Sequence, residues 1–402
     1  YKTTIRIVMN THKEIRFDKM FKFMVNCMWI IKTHPNIPRN FKWFCQFSIG
    51  YGLFMLTYLL IIYCIIFHDL KKGDAVRVCA NGVLVVVFNV VTLHHVVLGR
   101  HRMGFEELIN KAQIDYDQAK HLPIEEYNIV LAYAKNGRTI DYLWLTIAIC
   151  TTIIYQLKAI VTMVYYLVVT GEFQLVHLVD ITYPENLELK KNELGVYLFL
   201  YTLFTYYNLY AVIMYIAMSA LGPILILHGC GQLELVKRRI ANTYSKSNKG
   251  FEVQNIKLAA KLLSETYKYE LIYLLMYHEI IFKAVIAILP IMFYQFLETA
   301  KKGHFSVELL SLIFGATILC NVPCYYSDLL LQKSDEIKLA LYSCGWENHA
   351  EKESHTLILL LMIRVSRPVA MHTMFRNICI NGLTDIYRHA YTLFNLLNAV
   401  WH

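Results

Sequence analysis

The apolar run "GVYLFLYTLFTYYNLYAVIMYIAMSAL", residues 195–221, carries no charged side chain from end to end. A helix needs about 20 consecutive apolar residues to cross a lipid bilayer, so this run predicts a transmembrane helix. The composition of the whole chain agrees, because 56% of its 402 residues are hydrophobic and only 17% are charged. Soluble domains carry about 25% charged residues. With a mean hydropathy of +0.40, the chain is predicted to be an all-α membrane protein.

Five more stretches are long and apolar enough to span the membrane, namely residues 45–67, 76–98, 142–168, 280–299 and 306–328. The last stretch, residues 379–400, is long enough but more polar. A shorter apolar run at 356–363 is too short to cross a bilayer and predicts a half-buried or interfacial helix. The sequence therefore predicts seven transmembrane helices.

Basic residues are distributed unequally between the connections. One set carries nine, six, eight and three Lys or Arg, in residues 1–44, 99–139, 222–279 and 329–355. The other set carries two each, in residues 68–75, 169–194 and 300–305. Connections rich in Lys and Arg stay in the cytoplasm, so the N-terminus is predicted to be cytoplasmic. With seven spans the C-terminus is then extracellular, which is the reverse of a G-protein-coupled receptor.

Apolar residues at helical spacing in 222–279 predict amphipathic helices that extend into the cytoplasm, with a turn at 242–250. Such extensions favour an oligomerisation anchor over a catalytic domain. The predicted organisation has six parts: a cytoplasmic N-terminal segment, transmembrane helices one to four with the ligand pocket, cytoplasmic helical extensions, transmembrane helices five and six, a cytoplasmic anchor region and a terminal helix. In that order they cover residues 1–44, 45–221, 222–279, 280–328, 329–378 and 379–402.

Motifs of enzymes and metal sites fail in this sequence. His278 and Glu279 begin the pattern of a zinc-protease helix, but position 282 is Phe, so the second histidine ligand is missing. His94 and His95 are adjacent and project from different sides of a helix, which is poor geometry for one metal ion. We therefore predict no enzymatic activity, no metal, no cofactor and no nucleic-acid partner. The ten cysteines are scattered singly and predict no disulfide framework.

Lys158, with Gln156 nearby, is the clearest charged residue inside a predicted span. A charge within the membrane is costly and is by default a functional hypothesis, so Lys158 is a candidate ligand-binding residue. The alternative is that its long side chain snorkels to the outer interface. The sequence favours neither interpretation over the other.

The terminal stretch has two different faces when it is drawn as a helix. At 100° per residue, one face is polar and is formed by Asp385, Arg388, Thr392, Asn395 and Ala399. The opposite face is apolar and is formed by Ile386, Ala390, Leu393 and Leu397. The polar face either joins this helix to its neighbours or lines a water-filled path with apolar constrictions at Leu396 and Val400. One helix cannot enclose a pore, so the second interpretation predicts an oligomer around a symmetry axis.

Four segments after residue 220 carry a specific pattern. "CYYSDLLLQKSDEIKLALYSCGWENH" (324–349) has a Cys followed by Ser334, Ala340-x-Tyr342 and Trp346. The others are "HGCGQLELV" (228–236), "LILLLMIRVSRPV" (357–369) and "AYTLFNLL" (390–397). Together with the inverted seven-span topology, these segments resemble the insect odorant receptor family. The short 99–139 loop and the Asn-Ala-Val ending differ from the coreceptor of that family, so the chain resembles a ligand-tuned subunit.

The resemblance implies a ligand-gated, poorly selective cation channel in the plasma membrane of a sensory-neuron dendrite, assembled with the coreceptor as a heterotetramer. It implies a small volatile organic ligand, surrounding membrane lipid, and a last helix that lines the path of the permeant cations. Carried over, Leu396 and Val400 fall at the family's hydrophobic gate, and the pore-facing positions beside them are Asn395, Thr392 and Ala399. The family's pocket lies in the outer half of the membrane, between spans two, three, four and six. The positions that fit this pocket by depth are Phe88, Tyr155, Tyr201, Thr205, Asn208, Phe314 and Thr317.

Two other functions stay open at this point. A gustatory-type receptor would share the architecture, but Ala390 stands where its terminal motif has Thr, and no Gln-Phe pair follows. A secondary transporter often shows inverted repeats and midplane charges. No half-to-half repeat is visible in this sequence, and only Lys158 is a candidate charge.

Overall fold

The computed structural model describes seven stretches of the chain: residues 12–73, 75–244, 249–268, 272–301, 307–348, 352–366 and 379–401. Every regular element in these stretches is a helix, and helices make up 86% of the structure. The all-α class predicted from the sequence is confirmed.

The N-terminal half consists of short helices followed by progressively longer ones. α1 (Phe17–Met20) and α2 (Lys22–Ile30) precede α3 (Phe41–Cys64), which continues through a π-helical turn (Ile65–Asp69) into α4 (Leu70–Lys72). Next come α5 (Ala75–Arg100), α6 (Arg102–Ala119) and α7 (Ile124–Thr170). The short α8 (Glu185–Glu188) lies in the connection to α9 (Leu194–Ala241).

The C-terminal half contains α10 (Lys249–Lys268), α11 (Ile272–Lys301), α12 (Val307–Ser343), α13 (Lys352–Val365) and α14 (Ile380–Trp401). Proline is tolerated inside three of the long helices of the chain, at Pro223 of α9, Pro290 of α11 and Pro323 of α12. Neighbouring helices can satisfy the backbone carbonyl that each proline leaves without its helical donor.

Two helices are much longer than a membrane crossing requires. α7 and α9 have 47 and 48 residues, which is about 70 Å each at 1.5 Å per residue, against a hydrocarbon core of about 30 Å. Each therefore continues out of the membrane as one uninterrupted helix. In the part of the chain that the structure describes, five segments are long and apolar enough to cross a membrane: Phe41–Lys72, Arg77–Arg100, Ile124–Thr170, Leu194–Ala241 and Leu309–Asn348.

These five segments correspond to predicted spans one to four and six. Predicted spans five and seven fall in α11 and α14. The total of seven spans and the orientation of the termini stay predictions.

α9 is the central helix of the bundle. It packs against α7 and α12, and every residue from 216 to 228 is buried. α9 approaches α7 closely at Gly231, because a Cβ at that position would lie 3.3 Å from the Tyr133 side chain. Gly137 of α7 likewise leaves room for Phe21, between α1 and α2, whose ring would be 2.9 Å from an added Cβ. The bundle is therefore packed most tightly towards the C-terminal end of α9.

Buried charges also join the helices at this end. His228 Nε2 of α9 is 3.0 Å from Asp115 Oδ2 of α6, and both side chains are buried. Burial raises the pKa of Asp115, but the hydrogen bond to His228 and the charges of His228 and Lys111 outweigh it and lower the pKa overall. Lys333 of α12 lies 2.9 Å from Glu234 of α9. We call the end that contains these pairs the inner half of the bundle, and the end that contains α8 the outer half.

Candidate ligand cavity and terminal helix

A cavity of about 170 Å³ lies in the outer half of the bundle. Its wall is formed by α5, α7, α9, α11 and α12, so the four helices expected at the pocket all contribute and α11 is added to them. Most of the wall is aliphatic or aromatic, as at Val83, Ile147, Phe204, Ile288 and Leu312. An apolar cavity with few polar groups is the usual form of a site for a small organic molecule.

The connection between α7 and α9 covers the cavity through Leu178 and Val179. This connection is attached to α5 by polar contacts. Arg77 donates from Nη1 to Thr182 Oγ1 at 2.9 Å, and its Nη2 lies 3.2 Å from Asp180 Oδ2. The covering segment is therefore held to the same helix that forms one wall of the cavity.

Trp144 and Asn208 contribute polar side chains to the wall. Trp144 is buried, and its Nε1 makes no hydrogen bond among the described residues. Asn208 is half-buried and carries a side-chain amide. Two wall hydroxyls already donate to backbone carbonyls, Tyr207 to Leu84 O at 2.6 Å and Thr151 to Ile147 O at 2.8 Å. A ligand with an acceptor oxygen could thus be bound by Trp144, and Asn208 could donate or accept.

Of the predicted ligand residues, Tyr155 and Asn208 line the cavity. Phe88 does not, because it faces α3 and stacks on Tyr58 at 3.7 Å between ring centroids. Its neighbour Val87, about 100° further round α5, lines the cavity instead. Phe88 therefore lies on a helix that borders the cavity, on a face that points away from the cavity.

Tyr201 and Thr205 lie beside the cavity and do not form its wall. Both contact Gln156 of α7: the Tyr201 hydroxyl donates to Gln156 Oε1, and Gln156 Nε2 donates to Thr205 Oγ1 at 3.2 Å. Their polar groups join α7 to α9. Lys158 is exposed on the outer surface of α7 and is also absent from the wall, a position that suits snorkelling.

On α12 the predicted residues are displaced from the wall by one or two positions. Phe314 is 62% exposed on the outside of the bundle, whereas Gly315 and Ala316 line the cavity. Thr317 donates its hydroxyl back to Ile313 O of the same helix at 2.8 Å and is not part of the wall.

Sequence reasoning missed Trp144, Tyr207 and Tyr215, which all line the cavity. A signal for Trp144 was present, because positions 144, 148, 151 and 155 recur at helical spacing on one face. Stepping back along α7 from the predicted Tyr155 reaches Trp144. On α9, two helical turns forward from Asn208 lead to Tyr215 on the same face. Tyr207 adjoins Asn208, and no periodicity distinguishes it from other aromatic residues of α9.

The terminal helix α14 is buried along one side only. Leu383, Ile386 and Ala390 are buried, and the helix packs against α11 and α12. Arg388, Thr392, Asn395, Leu396 and Ala399 are exposed. Leu393 was predicted on the apolar face, yet it is 40% exposed. Val400 belongs to α14, and its side chain lies outside the described part of the structure.

α12 connects the cavity to α14. Leu319 of α12 lines the cavity, and two residues further along Asn321 donates from Nδ2 to the hydroxyl of Tyr387 on α14 at 2.7 Å. Asp328 of α12 accepts a hydrogen bond from the backbone nitrogen of Ile380, at the start of α14, at 3.0 Å. Two hydrogen bonds therefore join α12, which forms part of the cavity wall, to the terminal helix.

Within the described residues, no group of three or more His, Cys, Asp or Glu side chains is arranged to hold a metal ion. All ten cysteines are free thiols. The adjacent His94 and His95 have different neighbours. His94 lies edge-on to the ring of Tyr215, and His95 Nε2 is 2.9 Å from the hydroxyl of Tyr210.

Comparison with known proteins agrees with the resemblance of the C-terminal motifs. The profile of the family described as 7tm odorant receptor matches residues 74–391. A curated relative, odorant receptor 56a of Drosophila melanogaster, is 32% identical over 75 residues, which is 19% of this chain. The aligned part spans 18% of the length of that relative.

Two solved structures have a similar fold. The insect olfactory receptor OR5 from Machilis hrabei in complex with eugenol superposes with a TM-score of 0.75, over 95% of this chain and 98% of that chain. A second structure of OR5 gives a TM-score of 0.71, over 94% of this chain and 97% of that chain. Sequence identity is 11% in both cases, so the likeness concerns the fold alone.

Proposed function

We propose, from the premise that this chain belongs to the 7tm odorant receptor family, that it is the ligand-tuned subunit of a ligand-gated, non-selective cation channel. The family consists of receptors and channels, not enzymes, and the chain is a multi-pass membrane protein. Membership of this family favours an odorant receptor over the gustatory-type alternative. In this proposal a small volatile molecule binds in the outer cavity, and the partner subunits are the odorant-receptor coreceptor in a heterotetramer in the plasma membrane.

The observation that carries the proposal is the apolar cavity with Trp144 in its wall. A buried N–H group without a partner costs about 1–3 kcal/mol, and an acceptor atom of a ligand would remove that cost. Apolar area supplies the rest of the affinity. A ligand of about ten heavy atoms, at an upper efficiency near 1 kcal/mol per atom, would bind at micromolar strength or weaker once the free energy of opening is deducted.

The proposed mechanism is a shift between closed and open states. A ligand changes this equilibrium only by its difference in affinity for the two states, so the cavity must change shape on opening. α12 is the helix suited to pass that change of shape on to α14, because it forms part of the cavity wall and is hydrogen-bonded to α14. The exposed polar side of α14 would line the cation path with its counterparts in the other subunits. Leu396 and Val400 would form the apolar constriction.

The test is to record membrane current from cells that express this chain with and without an odorant-receptor coreceptor, while a panel of volatiles is applied. Eugenol, named with the OR5 structure, is a reasonable first compound because it carries acceptor oxygens on an apolar ring. We expect a cation current that needs the volatile and both subunits and needs no G protein. No current with any volatile, from a chain delivered to the cell surface, would overturn the proposal.

A Trp144→Phe variant makes the test specific to the cavity, because it keeps an aromatic ring and removes the N–H donor. For agonists with an acceptor oxygen, the half-maximal concentration should rise about five- to tenfold, the equivalent of one hydrogen bond of about 1–1.5 kcal/mol. For hydrocarbon agonists it should change little. An equal shift for both classes would show that Trp144 acts through packing alone.

A further inference from the structure

A second groove lies at the inner half of the bundle, separate from the ligand cavity. It is bounded by the beginning of α3 and the end of α5 and has a volume of about 280 Å³. Lys32 and Arg39 line the mouth of the groove, Trp43 and Phe47 lie along α3, and His95 faces them from α5. None of these residues belongs to the wall of the ligand cavity.

The mouth of the groove is positively charged. In the part of the chain that the structure describes, neither Lys32 nor Arg39 forms an ion pair. Arg39 lies over the ring of Trp43, 4.8 Å from its centroid. Partial burial and the neighbouring Arg102 guanidinium lower the pKa of Arg39. Clustered cations without acidic partners repel one another, so a bound anion would stabilise this arrangement.

Several local features fix the two cations at this position. Lys32 has a positive φ of 61° just after the end of α2, in the left-handed conformation common after helix ends. Its carbonyl oxygen accepts a hydrogen bond from Trp43 Nε1 at 2.9 Å. Asn40 caps α3 by accepting from the backbone nitrogen of Trp43 at 2.9 Å. The segment that carries both charges is thus attached to the first turn of α3.

Below the charged mouth the groove is aromatic. Trp43, Phe47 and Tyr51 recur every four residues along α3 and stack, with ring centroids 5.2 and 5.6 Å apart. The ring of His95 meets those of Phe47 and Tyr51 edge-on. Gly99 opens the α5 side, because a Cβ there would meet only Arg39 Nη1, at 3.9 Å. A cationic mouth above an apolar channel matches an amphiphile with an anionic head.

The groove lies at the depth of a membrane interface. Phe41 and Phe44, in the first turn of α3, are 81% and 58% exposed and flank Trp43, as aromatic residues do at the level of the lipid headgroups. The distribution of basic residues predicts that this end faces the cytoplasm, where the leaflet contains anionic lipids. Basic pockets between transmembrane helices on that side bind phosphate headgroups.

We propose that this groove binds the phosphate headgroup of an anionic phospholipid, with Lys32 and Arg39 on the phosphate and the upper acyl chain along Trp43, Phe47 and Tyr51. The shared chemistry is an anionic phosphate ester, which a soluble compound such as glycerol 3-phosphate also carries. We assign the groove to the lipid because a soluble phosphate would leave the aromatic wall uncovered.

The test is a native mass spectrometry titration of the purified full-length chain in detergent with phosphatidic acid, phosphatidylcholine or glycerol 3-phosphate. We expect phosphatidic acid to bind most tightly. Lys32→Gln and Arg39→Gln should each weaken it about fivefold, since a Lys or Arg near an anionic surface contributes about 1 kcal/mol. Lys42→Gln is the matched control, because Lys42 is exposed on the same segment and does not line the groove.

A Gly99→Leu variant tests the effect of blocking the channel apart from the effect of removing a charge, because it fills the channel and keeps both Lys32 and Arg39. It should abolish tight binding of phosphatidic acid, whereas Gly99→Ala, whose methyl makes only an ordinary contact, should retain it and serves as the folding control. A loss with Lys42→Gln equal to that with Arg39→Gln would overturn the proposal as general surface attraction. Binding of glycerol 3-phosphate as tight as that of phosphatidic acid would overturn the assignment to a lipid.

Discussion

The outer and inner halves of this bundle share the same long helices and differ in how those helices meet. In the outer half, α7, α9 and α12 leave a cavity whose wall is mostly apolar. In the inner half α7 and α9 are in close contact at Gly231, and the buried Asp115–His228 pair connects α9 to α6. The long helices thus leave a mostly apolar cavity between them in the outer half and meet at close backbone contacts and buried polar pairs in the inner half.

This difference suggests that the two halves of the bundle have different roles, although the same long helices run through both. Close packing and charge-assisted hydrogen bonds fix one arrangement, so the inner half is suited to act as a rigid anchor. An apolar cavity has weaker directional preferences, so the outer half can change shape at a smaller cost in free energy. The three predictions below test this contrast, from the largest expected effect to the smallest.

The largest effect is expected at the buried pair of the inner half. Asp115→Ala leaves His228 buried without its carboxylate and should lower the free energy of unfolding by about 3 kcal/mol. Thermal unfolding in detergent measures this loss. The matched control is Asp117→Ala, which removes a half-exposed carboxylate 3.2 Å from Lys120 and should cost less than about 1 kcal/mol. Equal losses in the two variants would contradict the anchor role of the buried pair.

In the outer half, filling the cavity should impair the ligand response and leave folding intact. Gly315→Leu places a side chain in the cavity, since a Cβ there meets only Ile147, at 3.9 Å. The half-maximal agonist concentration should rise about tenfold or more, each factor of ten corresponding to about 1.4 kcal/mol of lost binding. Gly52→Leu is the control, because Gly52 is exposed on α3 with nothing near its Cβ position. An unchanged dose–response curve for Gly315→Leu would place the ligand elsewhere.

The smallest effect is expected at the connection between cavity and terminal helix. Asn321→Ala removes the hydrogen bond to Tyr387 and should shift the opening equilibrium about fivefold, the equivalent of about 1 kcal/mol. Maximal current should fall, while ligand binding to the purified chain should stay unchanged. Thr317→Ala is the control, since that hydroxyl bonds only within α12. A similar change in both variants would argue against coupling through Asn321.

The sequence indicates which helices can border a cavity more clearly than which faces of those helices do. Apolar length decides which residues lie in the membrane, and the four helices expected at the pocket all contribute to the wall of the cavity, together with α11. Which face of a helix points inward depends on neighbouring helices, and one residue changes that direction by about 100°. This is why Phe88 was chosen where Val87 lines the wall, and Phe314 where Gly315 does.

Hydrogen bonds between side chains of different helices could not be predicted from the sequence either. Tyr201 and Thr205 were predicted as ligand contacts, and nothing in the order of residues indicates that both contact Gln156. For α14, by contrast, periodicity alone separated the buried Ile386 and Ala390 from the exposed Arg388, Thr392 and Asn395. A helix with one packed side shows its orientation in its own sequence, whereas a helix inside a bundle does not.

The most direct test of the central claim, that a ligand in the outer cavity opens a path along α14, is a cysteine accessibility measurement. A Leu396→Cys chain is expressed with the coreceptor, and a charged thiol reagent is applied from outside with and without an agonist. We predict that the agonist accelerates block of the current by the reagent, and that adding Gly315→Leu abolishes this acceleration. If Leu396→Cys is never modified, or if the acceleration persists with the cavity filled, the account is contradicted.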